Sequence, residues 1–241
     1  MTHVRNVEGF GQLVDFCSGY GGKYNPGSKN LHMDQLNALL AQAKQALQNA
    51  KAAKAGYDQE SNNREIVFDD VRKLASAVIN TLAASGASAQ TIKDAQAFLR
   101  LMNGKRAKNP APVEAARATE ATATVKTRSV AHQDFASMAD HLAGLVLTVS
   151  GEPLYQPNEA ELTVDGLNAK VTELRNMNAD AIVARRQWSN ARIERNRVLY
   201  TDRNAIHNTA KAVKKYIKAI FGRSSEQYRQ VKVLQFIKPS I

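Results

Sequence analysis

The sequence predicts an all-α protein built as a tandem duplication of a four-helix, bundle-like unit with one short, one long and two medium helices. Two observations lead to this prediction. Apolar residues recur at the spacing of one helix face along most of the 241-residue chain, and the residue pattern repeats at an offset of 131 positions. We therefore assign the first copy to residues 1–102, a linker to residues 103–127 and the second copy to residues 128–241.

The repeat is marked by a Tyr-x-Pro motif that begins at Tyr24 and again at Tyr155. Residues of the same class follow at the same offset without a gap. The matched pairs include Leu36/Leu167, Asn37/Asn168, Leu40/Val171, Lys54/Arg185, Tyr57/Trp188 and Arg64/Arg195. An unbroken register that includes shared motifs is typical of duplication rather than of chance similarity between two amphipathic helices.

The first helix of each copy is short and carries apolar residues at i, i+3, i+7 and i+10. These residues are Val7, Phe10, Val14 and Cys17 in the first copy and Phe135, Met138, Leu142 and Leu145 in the second. The spacing places each set on one helix face. Gly9 and Gly11 lower the helical propensity of the first-copy version.

The second helix of each copy is long, and we expect it at residues 29–62 and 158–197. Its apolar residues alternate at spacings of four and three, as in helices that pack at shallow angles in bundles. A helix of about 35 residues is about 50 Å long, so this element is expected to dominate each copy.

The third helix of each copy ends at a glycine, Gly86 or Gly222, which we expect in the left-handed position after the last turn. In the second copy the fourth helix is predicted to begin at Ser224, with Gln227 completing a capping box. Residues 231–237 are also rich in strand-forming types. The end of this last helix therefore stays open between helix and strand.

Residues 103–127 are rich in Ala, Thr and Pro and contain no Leu, Ile, Met or aromatic residue. Such a segment cannot bury enough apolar surface to offset the entropy of ordering it, so we interpret it as a linker. Its length allows the two copies to pack side by side or to exchange partners between chains.

Composition excludes several classes of protein. No apolar run is long enough for a membrane span, and the N-terminus lacks the apolar stretch of a secretory signal, so we expect a cytoplasmic protein. The single cysteine, Cys17, excludes an internal disulfide. None of the five histidines has the spacing of a metal ligand pair, and no phosphate-binding glycine loop is present. We therefore expect no enzymatic activity, no cofactor and no metal site.

The net charge of +11 is unevenly distributed. Residues 175–238 contain 15 Lys and Arg against 4 Asp and Glu, and the rest of the chain is neutral overall. The candidate binding residues within this region are Arg185, Trp188, Arg192 and Arg195 on the long helix and Lys211, Lys214, Lys215 and Lys218 on the third helix. We expect these four lysines on the face opposite the apolar residues of their helix.

Each group of candidate residues has more than one interpretation. The long-helix cations are either structural contacts at the edge of the core or a surface offered to a partner. The lysines form a solvated face, a polyanion-binding face or, least compatibly with an apolar face already used for packing, a membrane-surface helix.

Together these features predict a non-enzymatic structural or protein-interaction protein, a scaffold that binds a protein partner or itself. The alternative is a nucleic-acid-binding protein that holds polyanions without sequence preference through residues 175–238. We expect no membrane partner, and no small-molecule substrate is evident from the sequence.

Overall fold

The computed structural model describes residues 2–104 and 133–239, and all regular structure within them is helical. The predicted all-α class is therefore confirmed, whereas the predicted linker lies outside the described residues from position 105 onward. The α-helices are α1 (Thr2–Gly19), α2 (Met33–Asp69), α3 (Val71–Ala84), α4 (Ala89–Met102), α5 (Phe135–Ser150), α6 (Val164–Asn196), α7 (Ile206–Phe221) and α8 (Glu226–Lys232). None of these helices is both long and apolar enough to cross a membrane.

The long helices differ from their predicted limits. Short 3-10 turns at Gly21–Lys23 and Lys29–Leu31 precede α2, which then continues to Asp69 because no Gly or Pro interrupts residues 59–69. At its C-terminal end α6 passes into a π-helical segment at Arg197–Thr201. This segment buries three consecutive side chains, those of Val198, Leu199 and Tyr200.

The chain forms two compact units. Unit 1 comprises Met1–Asp58 and Val183–Ile241, and unit 2 comprises Gln59–Ile182. Unit 1 therefore takes α1, α7, α8 and parts of α2 and α6, whereas unit 2 takes α3, α4, α5 and the remaining parts of α2 and α6. Each unit thus draws helices from both ranges that the sequence repeat separates.

In unit 1, α1 packs against α7, α8 and the π-helical segment. Its core is apolar and closely packed, and the largest side chains that are completely buried there are Phe10, Leu13, Leu36, Leu199, Ile206 and Ile217. Burial of Phe10 and Leu13 explains why α1 forms despite Gly9 and Gly11, because tertiary packing outweighs intrinsic propensity.

In unit 2, α4 packs against α3 and α5. The large, fully buried side chains of its core are Leu82, Met102, Leu142, Leu145, Leu167 and Leu174. Gly144 of α5 permits a close approach to α4, because a Cβ at this position would lie 2.3 Å from the ring of Phe98.

The buried residues of α1 and α5 follow the same spacing when the two helices are compared at an offset of 132. The buried pairs are Asn6/Met138, Val7/Ala139, Phe10/Leu142, Leu13/Leu145, Val14/Val146 and Cys17/Val149. This offset is one residue longer than the offset of 131 that the sequence shows from Tyr24 onward. The Tyr-x-Pro turns also correspond, since the Tyr24 hydroxyl donates to the Leu31 carbonyl at 2.9 Å and that of Tyr155 to the Leu162 carbonyl at 2.8 Å.

Two predicted helix ends need adjustment. The N-cap of α8 is Ser225, whose hydroxyl accepts from the Tyr228 amide at 3.1 Å. The predicted cap at Ser224 is therefore wrong by one residue, and no capping box forms because a tyrosine occupies the position where one needs Glu or Gln. Gly86 and Gly222 both have positive φ, of 85° and 89°. However, the ψ of 159° at Gly222 is extended rather than left-handed helical.

The strand-like segment after α8 is not a strand within the described residues. Its backbone instead pairs with a side chain of α1. The side-chain Nδ2 of Asn6 donates to the backbone carbonyl of Ile237 at 2.7 Å, and the backbone N–H of Ile237 donates to the side-chain Oδ1 of Asn6 at 3.1 Å. The same Asn6 amide donates to the Tyr200 hydroxyl at 3.1 Å. One buried side chain thus supplies the backbone partners that a neighbouring strand would otherwise provide.

Candidate functional site

Charge divides between the two compact units. Unit 1 contains 20 Lys and Arg against 7 Asp and Glu, a net charge of +13. The described residues of unit 2 contain 7 basic and 13 acidic residues, a net charge of −6. The positive excess therefore belongs to one compact body, which includes residues from the first 58 positions as well as the C-terminal region.

Within unit 1, α2 and α6 border an open groove of about 340 Å³, which we call the α2–α6 groove. It is lined by Leu47, Ala50, Lys51, Lys54, Trp188, Arg192 and Arg195. Four of these seven side chains are cationic and none is a carboxylate. The structure therefore brings together three of the predicted residues of α6, whereas Arg185 is exposed and is not part of the lining.

The indole of Trp188 lines this groove. One face stacks on Tyr57, with ring centroids 5.3 Å apart and an interplanar angle of 14°. The Lys54 ammonium lies 5.3 Å and the Arg192 guanidinium 5.1 Å from the centroid of the indole ring. Both distances are within the range of cation–π attraction. The indole therefore attracts both cations, and because it has no net charge it neutralises neither of them.

Lys54 also has a carboxylate partner. Its ammonium contacts both oxygens of Asp58, at 2.5 and 2.6 Å. The two side chains are about half exposed, at 46% and 49%, so the ion pair contributes little stability. In the described part of the chain, Lys51, Arg192 and Arg195 have no carboxylate within 4.0 Å.

Arg195 is half-buried at the end of the groove. Its Nε and Nη2 donate to the Asn196 side-chain carbonyl at 3.1 and 2.8 Å. Burial, and secondarily the nearby Arg192, lowers the pKa of Arg195. Burial, and then the charge of Arg195, also lowers the pKa of His3, whose Nδ1 lies 2.8 Å from the Tyr200 hydroxyl. The positive charge around Arg195 is therefore not fully compensated by the surrounding groups.

The lysines of α7 do not all lie on one solvated face. Lys211, Lys215 and Lys218 are exposed, at the i, i+4 and i+7 positions of one helical stripe. Lys214 is half-buried, and its ammonium donates to the Leu234 carbonyl and lies 5.0 Å from the centroid of the Phe236 ring. Burial lowers the pKa of Lys214. Lys214 is therefore partly covered by the C-terminal segment, unlike the other three lysines.

Lys51 of the groove escaped the sequence analysis. The sequence analysis names Lys54 and Tyr57 only as matched positions of the repeat. Their pairing with the candidate residues Arg185 and Trp188 was the signal that could have identified them as part of the same site. No pattern within a single helix reveals that α2 faces α6 at this point, since the contact joins residues more than 130 positions apart.

The chemistry available in unit 1 is anion binding. Cys17 is buried, and burial raises the pKa of its thiol to about 12, so it is held as the neutral thiol rather than the nucleophilic thiolate. Within residues 2–104 and 133–239, no group of three His, Cys, Asp or Glu residues is placed to hold a metal ion. The α2–α6 groove instead offers ammonium and guanidinium donors, which suit phosphate and carboxylate oxygens.

Comparisons with protein-family models, curated proteins and solved structures return no match.

Proposed function

We propose that this chain is a non-enzymatic binding protein and that unit 1 binds nucleic acid without sequence preference. The observation that carries the proposal is the net charge of +13 on one compact unit, beside a negative charge on the described residues of the other. A field of this kind attracts the phosphate backbone and requires no contact with individual bases. The stripe of Lys211, Lys215 and Lys218 and the α2–α6 groove are the exposed cations that we assign to this contact.

Binding is tested by fluorescence anisotropy with labelled single-stranded and duplex oligonucleotides over a series of salt concentrations. We expect affinity to fall steeply with salt and to be insensitive to sequence. The double reversal Lys211→Glu/Lys215→Glu should weaken binding and lower the slope of log K against log salt by about 2 on duplex DNA, since each lost phosphate contact removes about 0.9.

The control variant is Lys93→Glu/Arg100→Glu, which changes the net charge equally but alters exposed positions of unit 2. We expect this control to bind almost as well as the unmodified protein. Equal weakening by both double variants would show that only total charge matters. Absence of binding at low salt to either kind of oligonucleotide would refute the proposal.

We further infer that the chain arose by tandem duplication of a four-helix unit. The inference is supported by the sequence register at an offset of 131, by the buried pairs of α1 and α5, and by the equivalent hydroxyl–carbonyl hydrogen bonds of Tyr24 and Tyr155. In this view α7 carries charge that its counterpart α3 lacks between Ser76 and Ala84, so the two copies have diverged in their surfaces.

A second candidate function is that of a structural or protein-interaction scaffold, with a protein partner or a second copy of the chain. It is supported by four large apolar side chains of unit 2 that are more than half exposed: Ile66, Leu147, Leu154 and Ile182. Light scattering at increasing concentration tests self-association, and Leu147→Glu should weaken it. A strict monomer that captures no partner would remove this candidate. A cytoplasmic location stays a prediction from the sequence.

A further inference from the structure

The α2–α6 groove combines three properties that the folding of unit 1 does not require. It is concave, with a volume of about 340 Å³, which is within the range of small-ligand sites. Four cations line it, and three of them have no carboxylate within 4.0 Å among the described residues. Its floor includes an indole that attracts cations rather than neutralising them.

The positions of the cations are not dictated by the helical scaffold. At the offset of 131 residues, Lys51 corresponds to Ile182 and Arg192 corresponds to Ser61. The same helix pattern therefore accommodates an apolar residue and a small polar residue at these two places. Because like charges in proximity oppose folding, a cluster that the scaffold does not require is best explained by a ligand.

The second arginine of the groove has a counterpart in unit 2 with different surroundings. Arg64, which corresponds to Arg195, lies 4.0 Å from the centroid of the Phe135 ring and donates to the Asn178 side-chain carbonyl at 3.2 Å. Arg195 instead points its hydrogen bonds at its own neighbour, Asn196, and borders the groove. The guanidinium that is stacked on an aromatic ring in unit 2 is thus exposed to a concave, ligand-sized space in unit 1.

From this geometry we propose that the α2–α6 groove binds consecutive phosphate groups. Guanidinium groups bind phosphate oxygens in a bidentate manner, and lysines add point charges. Lys51, Lys54, Arg192 and Arg195 carry four positive charges, of which Asp58 compensates that of Lys54, and the positive charge that remains suits a di- or triphosphate. The phosphates come either from a free polyphosphate-bearing ligand or from a nucleic-acid backbone. In the second case the inference rests on the proposed function and identifies the anchoring point of that surface.

The chain provides its own probe, because Trp188 is its single tryptophan and lies in the groove. We expect sodium tripolyphosphate, titrated at constant ionic strength, to change the fluorescence of Trp188 as it displaces or reorients the two cations beside the indole. Calorimetric titration of the same ligand gives the dissociation constant independently of the fluorescence baseline. Raising the concentration of NaCl should weaken this binding.

The test variant is Lys51→Ile/Arg192→Ser, which introduces the residues found at the matched positions and alters only exposed side chains. The control is Lys44→Ser/Arg223→Ser, which removes the same charge from exposed positions of unit 1 outside the groove. We expect the test variant to lose at least about tenfold in affinity for tripolyphosphate and the control to lose much less. Both variants should melt cooperatively near the temperature of the unmodified protein.

Equal affinity of the two variants for tripolyphosphate, or no binding by the unmodified protein, would overturn the inference. Competition with an unlabelled oligonucleotide distinguishes the two sources of phosphate. Displacement of tripolyphosphate supports the groove as the anchor for a nucleic-acid backbone, and tight retention supports a free ligand. If the unmodified protein binds tripolyphosphate in the groove but no nucleic acid, the proposed function fails and the phosphate site stands.

Discussion

The side chain of Asn6 should contribute more to the stability of unit 1 than any other polar side chain on α1. It is 1% exposed and takes part in three hydrogen bonds, two with the backbone of Ile237 and one with the hydroxyl of Tyr200. Asn6→Ala removes all three at once. At about 1 kcal/mol for each bond, we expect a loss of about 3 kcal/mol in the free energy of unfolding. Tyr200→Phe removes one of the three together with the contact between the Tyr200 hydroxyl and His3 Nδ1, and should cost about 2 kcal/mol.

The loss is measured by urea unfolding followed by circular dichroism. Amide hydrogen exchange at Ile237 localises the effect, since its N–H donates directly to the Asn6 side chain and should exchange faster in the variant. The control is Asn49→Ala, an exposed position of α2 whose side chain accepts one hydrogen bond from Gln45. This control should stay within about 0.5 kcal/mol of the unmodified protein.

Two results would refute the reasoning. A loss of less than about 1 kcal/mol for Asn6→Ala would mean that water replaces the three bonds at little cost. Unchanged exchange of the Ile237 amide would mean that the C-terminal segment is not held by Asn6, whatever the total loss of stability.

Three further predictions follow from the packing and the titratable groups. Gly144→Ala should destabilise unit 2 by about 1–3 kcal/mol in urea unfolding, because the new Cβ would lie 2.3 Å from the Phe98 ring. Gly9→Ala makes only ordinary contacts at 3.8 Å and should stabilise unit 1 by up to about 1 kcal/mol. Cys17 should not react with a thiol reagent at pH 8 until the protein unfolds, because burial raises its pKa to about 12. The pKa of His3 is lowered by burial, by the arginines of α6 and by the N-terminal amine, so the folded protein resists protonation of this imidazole. The free energy of unfolding should therefore fall as the pH drops below about 6.5. His3→Gln should reduce that fall when unfolding is measured between pH 7 and pH 5.5.

The helices were predictable because each depends on a pattern within one segment of the chain. The 3.6-residue period gave eight helices in the right order, and positive φ at Gly86 and Gly222 followed from their places after the last helical turn. The residue pattern leaves the register between α1 and α5 open, because a shift of four residues leaves the apolar face almost unchanged. The membership of the two compact units was beyond the sequence pattern, since it depends on which helices meet in space.

For the candidate site, too, only the residues that share one helix were predictable from the sequence. Trp188, Arg192 and Arg195 were found because they share one face of one helix. Lys51 was missed because its contribution to the groove depends on α2 lying beside α6. The partial covering of Lys214 was not predictable, because the segment that folds over it lies 20 residues further along the chain.

Repulsion within the charge cluster supports the proposal that the cluster serves binding rather than stability. The Lys54 ammonium and the Arg192 guanidinium each lie within 5.3 Å of the Trp188 ring centroid, so they are at most roughly 11 Å apart. Two unit charges at that distance repel by about 0.4 kcal/mol in water and about 1.5 kcal/mol at an effective dielectric constant of 20, and the ion pair of Lys54 with Asp58 offsets part of this repulsion. Arg195 adds to this repulsion from a half-buried position. In the duplication that we propose, the uncharged Ile182 and Ser61 match Lys51 and Arg192, so we propose that the folding free energy lost to this repulsion is recovered when an anion enters the groove.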